Sequence, residues 1–351
     1  MNTGFLQSDK LIPTIQNQVG IGLIELMISL ALGLLVLLIG TALIISTKSS
    51  FLTQSDHLDI QESASFALDN VARSLRQAGY VNYDFNNSPQ ITPSSASADI
   101  VGMDGSAVSP TADDISSPSN SSINSSDLLG IRFFGRGGIG SGDGTITNCA
   151  GFSVPAPSSS DTADEDRGWS IYYVAYNANR EPELFCKYQS INSKSGAMGW
   201  SAQAIVKGVE SFQVLYGVDT SNPTNGSANK FLNASAINAL DANLELVGIT
   251  SAELKADLNR KTFWKKVTEV KIAMLISGGE VSRHESATKT YNLFGDEYAA
   301  IASSFDRGTT VSEVEISAAR RNRLRKIFAS TIVLRNNCPI DPIRGTCQAP
   351  S

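Results

Sequence analysis

One carboxylate, Glu25, stands inside an apolar run from Ile21 to Ile45 that holds no other charge. An acid at the centre of a spanning helix costs roughly 2.5–3.5 kcal/mol, less near an end, so such a residue calls for a cationic partner and a function. The other chemistry-bearing residues are sparse. There are four cysteines, Cys149, Cys186, Cys338 and Cys347, and two histidines, His57 and His284. No C-x-x-C pair occurs, and a zinc site would need more ligands at tighter spacing. No metal and no cofactor is expected. An even cysteine count beside a membrane segment points to disulfides in an oxidising compartment. Four cysteines allow three connectivities; loop-closure entropy favours Cys338–Cys347, which leaves Cys149–Cys186. Free buried thiols are the alternative.

The remaining clusters carry weaker chemistry. Gly135–Gly144 is glycine-rich and follows a strand pattern, but it lacks G-K-[ST] and a following helix, so it reads as a flexible hairpin loop. No G-x-S-x-G elbow is present, and two scattered histidines make no triad. Asp161, Asp164, Glu165 and Asp166 miss the spacing of a calcium loop and read as a solvated acidic turn. Arg320, Arg321, Arg323, Arg325 and Lys326 could touch phosphates. A solvated helix face, or contact with an acidic neighbouring subunit, is the better reading. Twenty-eight Lys and Arg against 34 Asp and Glu, net charge −6, also argue against a dedicated nucleic-acid binder.

A helix over Ile21–Ile45 would be roughly 37 Å long, enough to cross a bilayer core of roughly 30 Å with modest tilt. A cleaved secretory signal would have a shorter apolar core and a basic n-region. Here Lys10 is the only basic residue before the run, and Asp9 offsets it. Neither that signal nor a plain anchor explains Glu25.

The stretch Gly20-Ile21-Gly22-Leu23-Ile24-Glu25 resembles the prepilin cleavage and methylation motif. The glycine, the glutamate as fifth mature residue and the unbroken apolar helix all stand at the family spacing. Ile21 replaces the commoner phenylalanine, and Gly22 the usual serine or threonine. The resemblance implies cleavage by prepilin peptidase after Gly20 and N-methylation of Ile21. It also implies that Glu25 pairs with the amino terminus of a neighbouring subunit during assembly. The physics agrees: glycine admits close backbone approach, and a buried carboxylate needs a cation. Further on, Gln61-Glu62-Ser63-Ala64-Ser65-Phe66-Ala67-Leu68-Asp69 and Arg76-Gln77-Ala78-Gly79-Tyr80 look like the PilW subfamily. Phe328–Asn336 resembles that subfamily's closing strand.

The elements that would carry these residues follow from periodicity. Ala64, Ala67, Leu68, Val71, Leu75 and Ala78 recur at spacings of three and four, and Gly79 is a stop. One helix from Ile21 to about Ala78 is expected, apolar all round at first and amphipathic afterwards. Residues 86–127 are rich in Ser, Asn, Pro and Asp and read as a long loop with little structure of its own. Strand patterns cover Leu128–Phe134, Trp169–Tyr176, Glu183–Tyr188, Gln203–Val218, Val267–Ser277 and Ile327–Leu334. Thr250-Ser251-Ala252-Glu253 reads as a capping box opening a short helix toward Trp264. The fold class is α+β, a long N-terminal helix packed on an antiparallel sheet. The organisation is a leader over 1–20, a membrane half over 21–46, an amphipathic half over 47–79, a polar loop region over 80–127 and a β-rich domain over 128–351.

The PilW resemblance implies a minor pilin that helps to start pilus polymerisation in a tip complex, with motility, adhesion or DNA uptake as the outcome. Its partners would be other minor pilins, the major pilin and a tip adhesin; nucleic acid would be a weak partner at most. It would wait in the inner membrane, single-pass with a periplasmic C-terminal domain, before entering the pilus. A minor pseudopilin of type II secretion shares the N-terminal motif, and a pilus-displayed adhesin or DNA-binding module is the rival from another class. No enzyme is expected.

Overall fold

The helix comes first. In the computed structural model, which describes residues 22–81, 95–119, 122–138, 140–159, 164–191, 198–279, 288–302 and 304–335, α1 runs from Leu23 to Gln77. Its end is set by Gly79, whose φ of 66° breaks the helical path at no side-chain cost. The Gly79 N–H then turns away to the Arg132 carbonyl. The chain divides into two units, Met1–Phe51 and Leu52–Ser351. In the first, the large apolar side chains between Leu23 and Ile45 are all exposed, and the helix is long and apolar enough to cross a membrane.

In the second unit α1 buries one stripe: Asp56, Ile60, Ala64, Ala67, Val71 and Leu75. These lie three or four residues apart, so they share one face. The strands follow as β1 (Ile100–Met103), β2 (Ala107–Val108), β3 (Pro118–Ser119), β4 (Leu128–Phe133), β5 (Gly137–Gly138), β6 (Ser141–Gly142), β7 (Gly168–Tyr176), β8 (Pro182–Ile191), β9 (Met198–Lys207), β10 (Val209–Val218) and β11 (Lys230–Leu232). Helices α2 (Ala234–Asp241) and α3 (Ser251–Lys261) come next, then β12 (Val267–Ser277), β13 (Thr290–Asn292), α4 (Asp296–Ala302), β14 (Thr310–Ser312) and β15 (Arg325–Val333).

The expected α+β class holds, but the strands form two main antiparallel sheets rather than one. Their orders are β1-β4-β7-β8-β9 and β11-β10-β12-β15. The divide falls inside Gln203–Val218, expected as a single strand. Gly208 adopts φ 75° and breaks it, so β9 ends one sheet and β10 enters the other. One core unites the α1 stripe with both sheets, through Leu129, Tyr172 and Leu184 on one side and Val214, Ile272 and Met274 on the other. Tyr172 donates its hydroxyl to Asn70 Oδ1 at 2.7 Å and shares a 2.7 Å hydrogen bond with Ser74. Burial holds that phenol well above its ordinary pKa. At the β12 end, a Cβ on Gly278 would lie 2.8 Å from the Asp56 carboxyl carbon, so glycine there lets the helix close on the sheet.

One further sequence expectation needs correction. The 86–127 stretch is not simply loop: within its described part β1 pairs with β4, and Ala96, Ala98, Ile100 and Val108 are buried. The polar residues between them hide the pattern. Ser97 and Asp99 do not go to water but bind the guanidinium of Arg167. The glycine-rich segment does form a small hairpin, β5 with β6. The capping box is also formed: Glu253 N–H donates to Thr250 Oγ1 at 3.2 Å, and Thr250 N–H to Glu253 Oε2 at 3.0 Å.

Leu75 is wholly buried whereas Phe66, on the same helix, is half exposed. Leu75→Ala should therefore lower unfolding stability by about 2–5 kcal/mol. Phe66→Ala should cost under about 1 kcal/mol. Denaturant titration of the full chain in detergent micelles, followed by tryptophan fluorescence, checks both.

Candidate functional site

Glu25 lies in the first turn of α1, where the unsatisfied N–H groups and the positive end of the helix dipole favour a carboxylate. The backbone around it is helical from the start, with Leu26 N–H donating to the Gly22 carbonyl at 3.2 Å and Ser29 Oγ to the Glu25 carbonyl at 2.7 Å. Among the described residues no cation meets the Glu25 carboxylate. Gly20 and Ile21 lie outside the described residues, as do Cys338 and Cys347.

Cys149 and Cys186 form a disulfide with Cα atoms 5.9 Å apart. Cys186 is on β8, and Cys149 is in the loop that follows the β5–β6 hairpin. That loop hangs on α1: Asn70 Nδ2 donates to the Cys149 carbonyl and Gln77 Nε2 to the Thr147 carbonyl, each at 3.2 Å. The bridge thus ties the helix-contacting loop to the sheet across a sequence separation of 37. In the chain-entropy account a closure of that length stabilises by about 3–4 kcal/mol.

The basic cluster is not one solvated helix face: it runs from a short 3-10 turn at Ala318–Arg320 into β15, and only Arg321 is exposed. Arg325 opens β15 and is fully buried against Glu210 of β10, with Nε–Oε2 at 2.5 Å and Nη2–Oε1 at 3.0 Å; Glu313 lies 3.4 Å from its Nη1. Its remaining donors go to the carbonyls of Arg320, Arg321 and Arg323. Arg323 grips Glu181 at 2.6 and 2.9 Å, which lowers the carboxyl pKa and raises that of the guanidinium. Arg320 reaches Glu210 at 3.7 Å, and Arg321 caps the carbonyls of Ile316 and Val314. Arg320, Arg323 and Arg325 are thus engaged by acids of the same chain, while Arg321 remains exposed. One signal pointed to it: Glu210 is the one charged residue in the strand-like stretch Val209–Val218.

The acidic turn is corrected at one residue, since Glu165 is exposed as expected. Asp161 lies outside the described residues, but Asp164 turns inward, 2.6 Å from Arg167 and 3.7 Å from Arg132. Burial works against its charge, yet the two arginines and Ser97 hold its pKa below the usual value. Arg132 in turn stacks 4.7 Å from the Trp169 ring centroid, and burial drops its pKa to about 10. Asp166 accepts from Ser158 N–H at 2.8 Å. Among the described residues no three His, Cys, Asp or Glu gather as a metal would require.

A third set of acids escaped sequence reading. Asp127 is buried and accepts N–H bonds from Gly105 at 3.0 Å and Val214 at 2.9 Å. Burial, with Asp104 nearby, pushes its pKa well up. Asp104 accepts the first two N–H groups of α2, from Ala234 and Ser235. Asp306 accepts the Tyr298 hydroxyl at 2.9 Å; burial, and then Asp104, raise it from 3.8 to about 6. Asp127 ties the 104–127 segment to β10, Asp104 ties it to α2, and Asp306 closes the 296–309 segment on itself.

Residues 171–336 match the family model described as Type IV Pilus-assembly protein W. The match runs from β7 through β15 and stops short of α1. No curated protein matches the chain. The family match ties the β-rich half of the chain to type IV pilus assembly.

Removing Arg325 would strand Glu210 in the interior. Arg325→Ala should cost about 3–5 kcal/mol, while the pair Glu210→Gln with Arg325→Met should recover most of it, in denaturant titrations of the full chain. For Asp306 the folded-state pKa exceeds the unfolded one. Its stabilising contribution is then complete below about pH 4 and lost as pH rises through about 6. The unfolding midpoint should fall across that window. Asp306→Asn should make the fall shallower, leaving the slope from Asp99 and Asp127, which burial shifts in the same direction.

Proposed function

We propose that this chain is a minor pilin of the type IV pilus, made as a prepilin and used as a structural and priming subunit. One coincidence supports the reading. A helix long and apolar enough to cross a membrane, with Glu25 in its first turn, leads into an α+β region of which residues 171–336 match a pilus-assembly family. An ordinary anchor has no need of an acid in that position.

On this reading prepilin peptidase cuts between Gly20 and Ile21 at the inner membrane, and the new amino terminus is methylated. The apolar half of α1 stores the subunit in the bilayer with its β-rich domain in the periplasm. On assembly, lipid contacts give way to helix–helix contacts, and Glu25 takes up the amino terminus of a neighbouring subunit. That pair fixes axial register, because a carboxylate in an apolar surround is stable only opposite its cation. The globular region selects neighbours: other minor pilins, the major pilin and a tip adhesin. Its bulk suits a tip or priming complex better than a shaft. Twitching motility, adhesion and DNA uptake follow from the pilus rather than from chemistry in this chain.

Mass spectrometry of the amino terminus, on protein purified from its own membranes, tests this directly. A mature chain beginning at N-methylated Ile21 is expected; an intact Met1, or a cut after the apolar run, would sink the reading. Gly20→Ala should leave an uncleaved precursor. Glu25→Ala should be processed normally yet fail to support piliation, counted by electron microscopy.

A further inference from the structure

A cavity of about 300 Å³ opens between α1, the loop over residues 147–151 and the edge strand β9. Its volume is at the small end of ligand sites. All of its walls belong to Leu52–Ser351. They are held from several sides. Asn70 Nδ2 donates to the Cys149 carbonyl and Gln77 Nε2 to the Thr147 carbonyl. Asn70 Oδ1 accepts the Tyr172 hydroxyl at 2.7 Å, and the Cys149–Cys186 bridge ties the loop to β8. A site that is already shaped loses little conformational entropy on binding.

The wall chemistry narrows the ligand. Among the described residues no carboxylate lines the cavity, and Arg73, which does, is already paired with Asp69 at 2.8 Å. A charged ligand would find no free counter-charge there. The other polar side chains are mainly amides. Those of Asn70 and Gln77 each give one N–H to the loop and keep a second. Gln203 of β9 is exposed in the wall with both a donor and an acceptor. Gln77 Oε1 is buried and unpaired, and the soft last torsion of glutamine lets a small turn offer it to a donor in the cavity. Such walls suit a neutral group that donates and accepts at once, which is a hydroxyl or a peptide amide. A peptide is the poorer fit. It binds best along a strand in regular register. β9 is irregular here: Val206 pairs with Leu184 and Ala204 with Phe185, so Ile205 in the wall is an extra, bulged residue.

Aromatic rings complete the pattern. Phe66 lines the cavity and is 53% exposed. Phe152 follows Gly151 of the wall, is 49% exposed and stacks on Tyr188 with ring centroids 5.1 Å apart. Exposed phenyl faces beside uncharged amides match a pyranose, which has apolar C–H faces and a rim of hydroxyls. We propose that this cavity is a binding site for a neutral saccharide, seated with a C–H face on Phe66 and its hydroxyls on the amides of Asn70, Gln77 and Gln203. The site goes beyond the pilin reading and does not rest on it. On that reading, assembly would carry the site to the cell surface.

Saturation-transfer NMR tests this on the full chain, in micelles of a zwitterionic detergent whose head group is no sugar. The probes are neutral hexoses, N-acetylhexosamines and their short oligomers; a trialanine peptide and inorganic phosphate are the controls. The expected result is transfer to the ring C–H protons of at least one neutral saccharide and to neither control. Phe66→Ala and Gln203→Ala should each weaken its binding by about tenfold, the loss of one aromatic contact or one hydrogen bond. Both side chains are exposed, so the Cys149–Cys186 bridge should form in both variants and the unfolding midpoint should move only as a surface change moves it. No transfer to any saccharide, binding unchanged in either variant, or transfer to trialanine or phosphate instead overturns the saccharide site and leaves the pilin reading standing. An intact Met1 on the protein from its own membranes overturns the pilin reading and leaves the site standing.

Discussion

Burial of one face of the helical segment from Asp56 to Leu75 is the constraint on which the globular unit depends. Neither sheet covers its inner face alone; the α1 stripe supplies the common surface for both. Full burial of Ile60, Val71 and Leu75 is worth roughly 1.5–3 kcal/mol each. The alanines between them act differently. Ala64 and Ala67 add little area but let the helix approach closely, as Gly278 does from the β12 side. Polar groups then fix the register that apolar contacts leave loose. Ser74 and Asn70 bind Tyr172, and Asn70 and Gln77 hold the loop that the Cys149–Cys186 bridge ties to β8.

Around that core the protein places ion pairs where a second layer of segments must stay attached. Arg325, Glu210 and Glu313 join β15, β10 and the turn after β14. Arg167 with Asp99 and Asp164 joins the segment before β1 to the one before β7. Buried pairs of this kind add little net stability compared with apolar packing, but each is costly to break. They therefore discriminate against wrong arrangements of peripheral segments whose own apolar content is low. This explains how a Ser-, Asn- and Asp-rich stretch around β1 is held without a large core of its own.

What was legible in the sequence was what repeats with a fixed period. The helix, its stop at Gly79, the capping box at Thr250 and five of the strand runs follow from spacing and residue type alone. Three things were not. β1 is too short to show a period, and its flanks read as linker because their charges are satisfied from far along the chain. The break at Gly208 is a single residue inside a stretch whose strand-forming residues continue on both sides. The roles of Arg320–Arg325 depend on partners as distant as 144 residues in sequence, so a local cluster of cations looked like a solvated face. Glu210 carried the missing information, since an acid inside an apolar strand demands a buried partner.

The apolar half of α1 has a consequence for how such a subunit could choose its neighbours. Lipid tails are about as apolar as leucine, so moving Leu23–Ile45 from bilayer to a bundle of similar helices gains little from hydrophobic burial. Packing among such helices is also nearly indifferent to which subunit is beside which. Specificity must then come from directional groups. On the proposed reading Glu25 is one, and it fixes axial position because its charge tolerates only one kind of partner. A subunit that starts an assembly needs selectivity more than affinity, since the membrane already concentrates its partners. A directional contact of that kind meets that need, where a broad apolar interface would not.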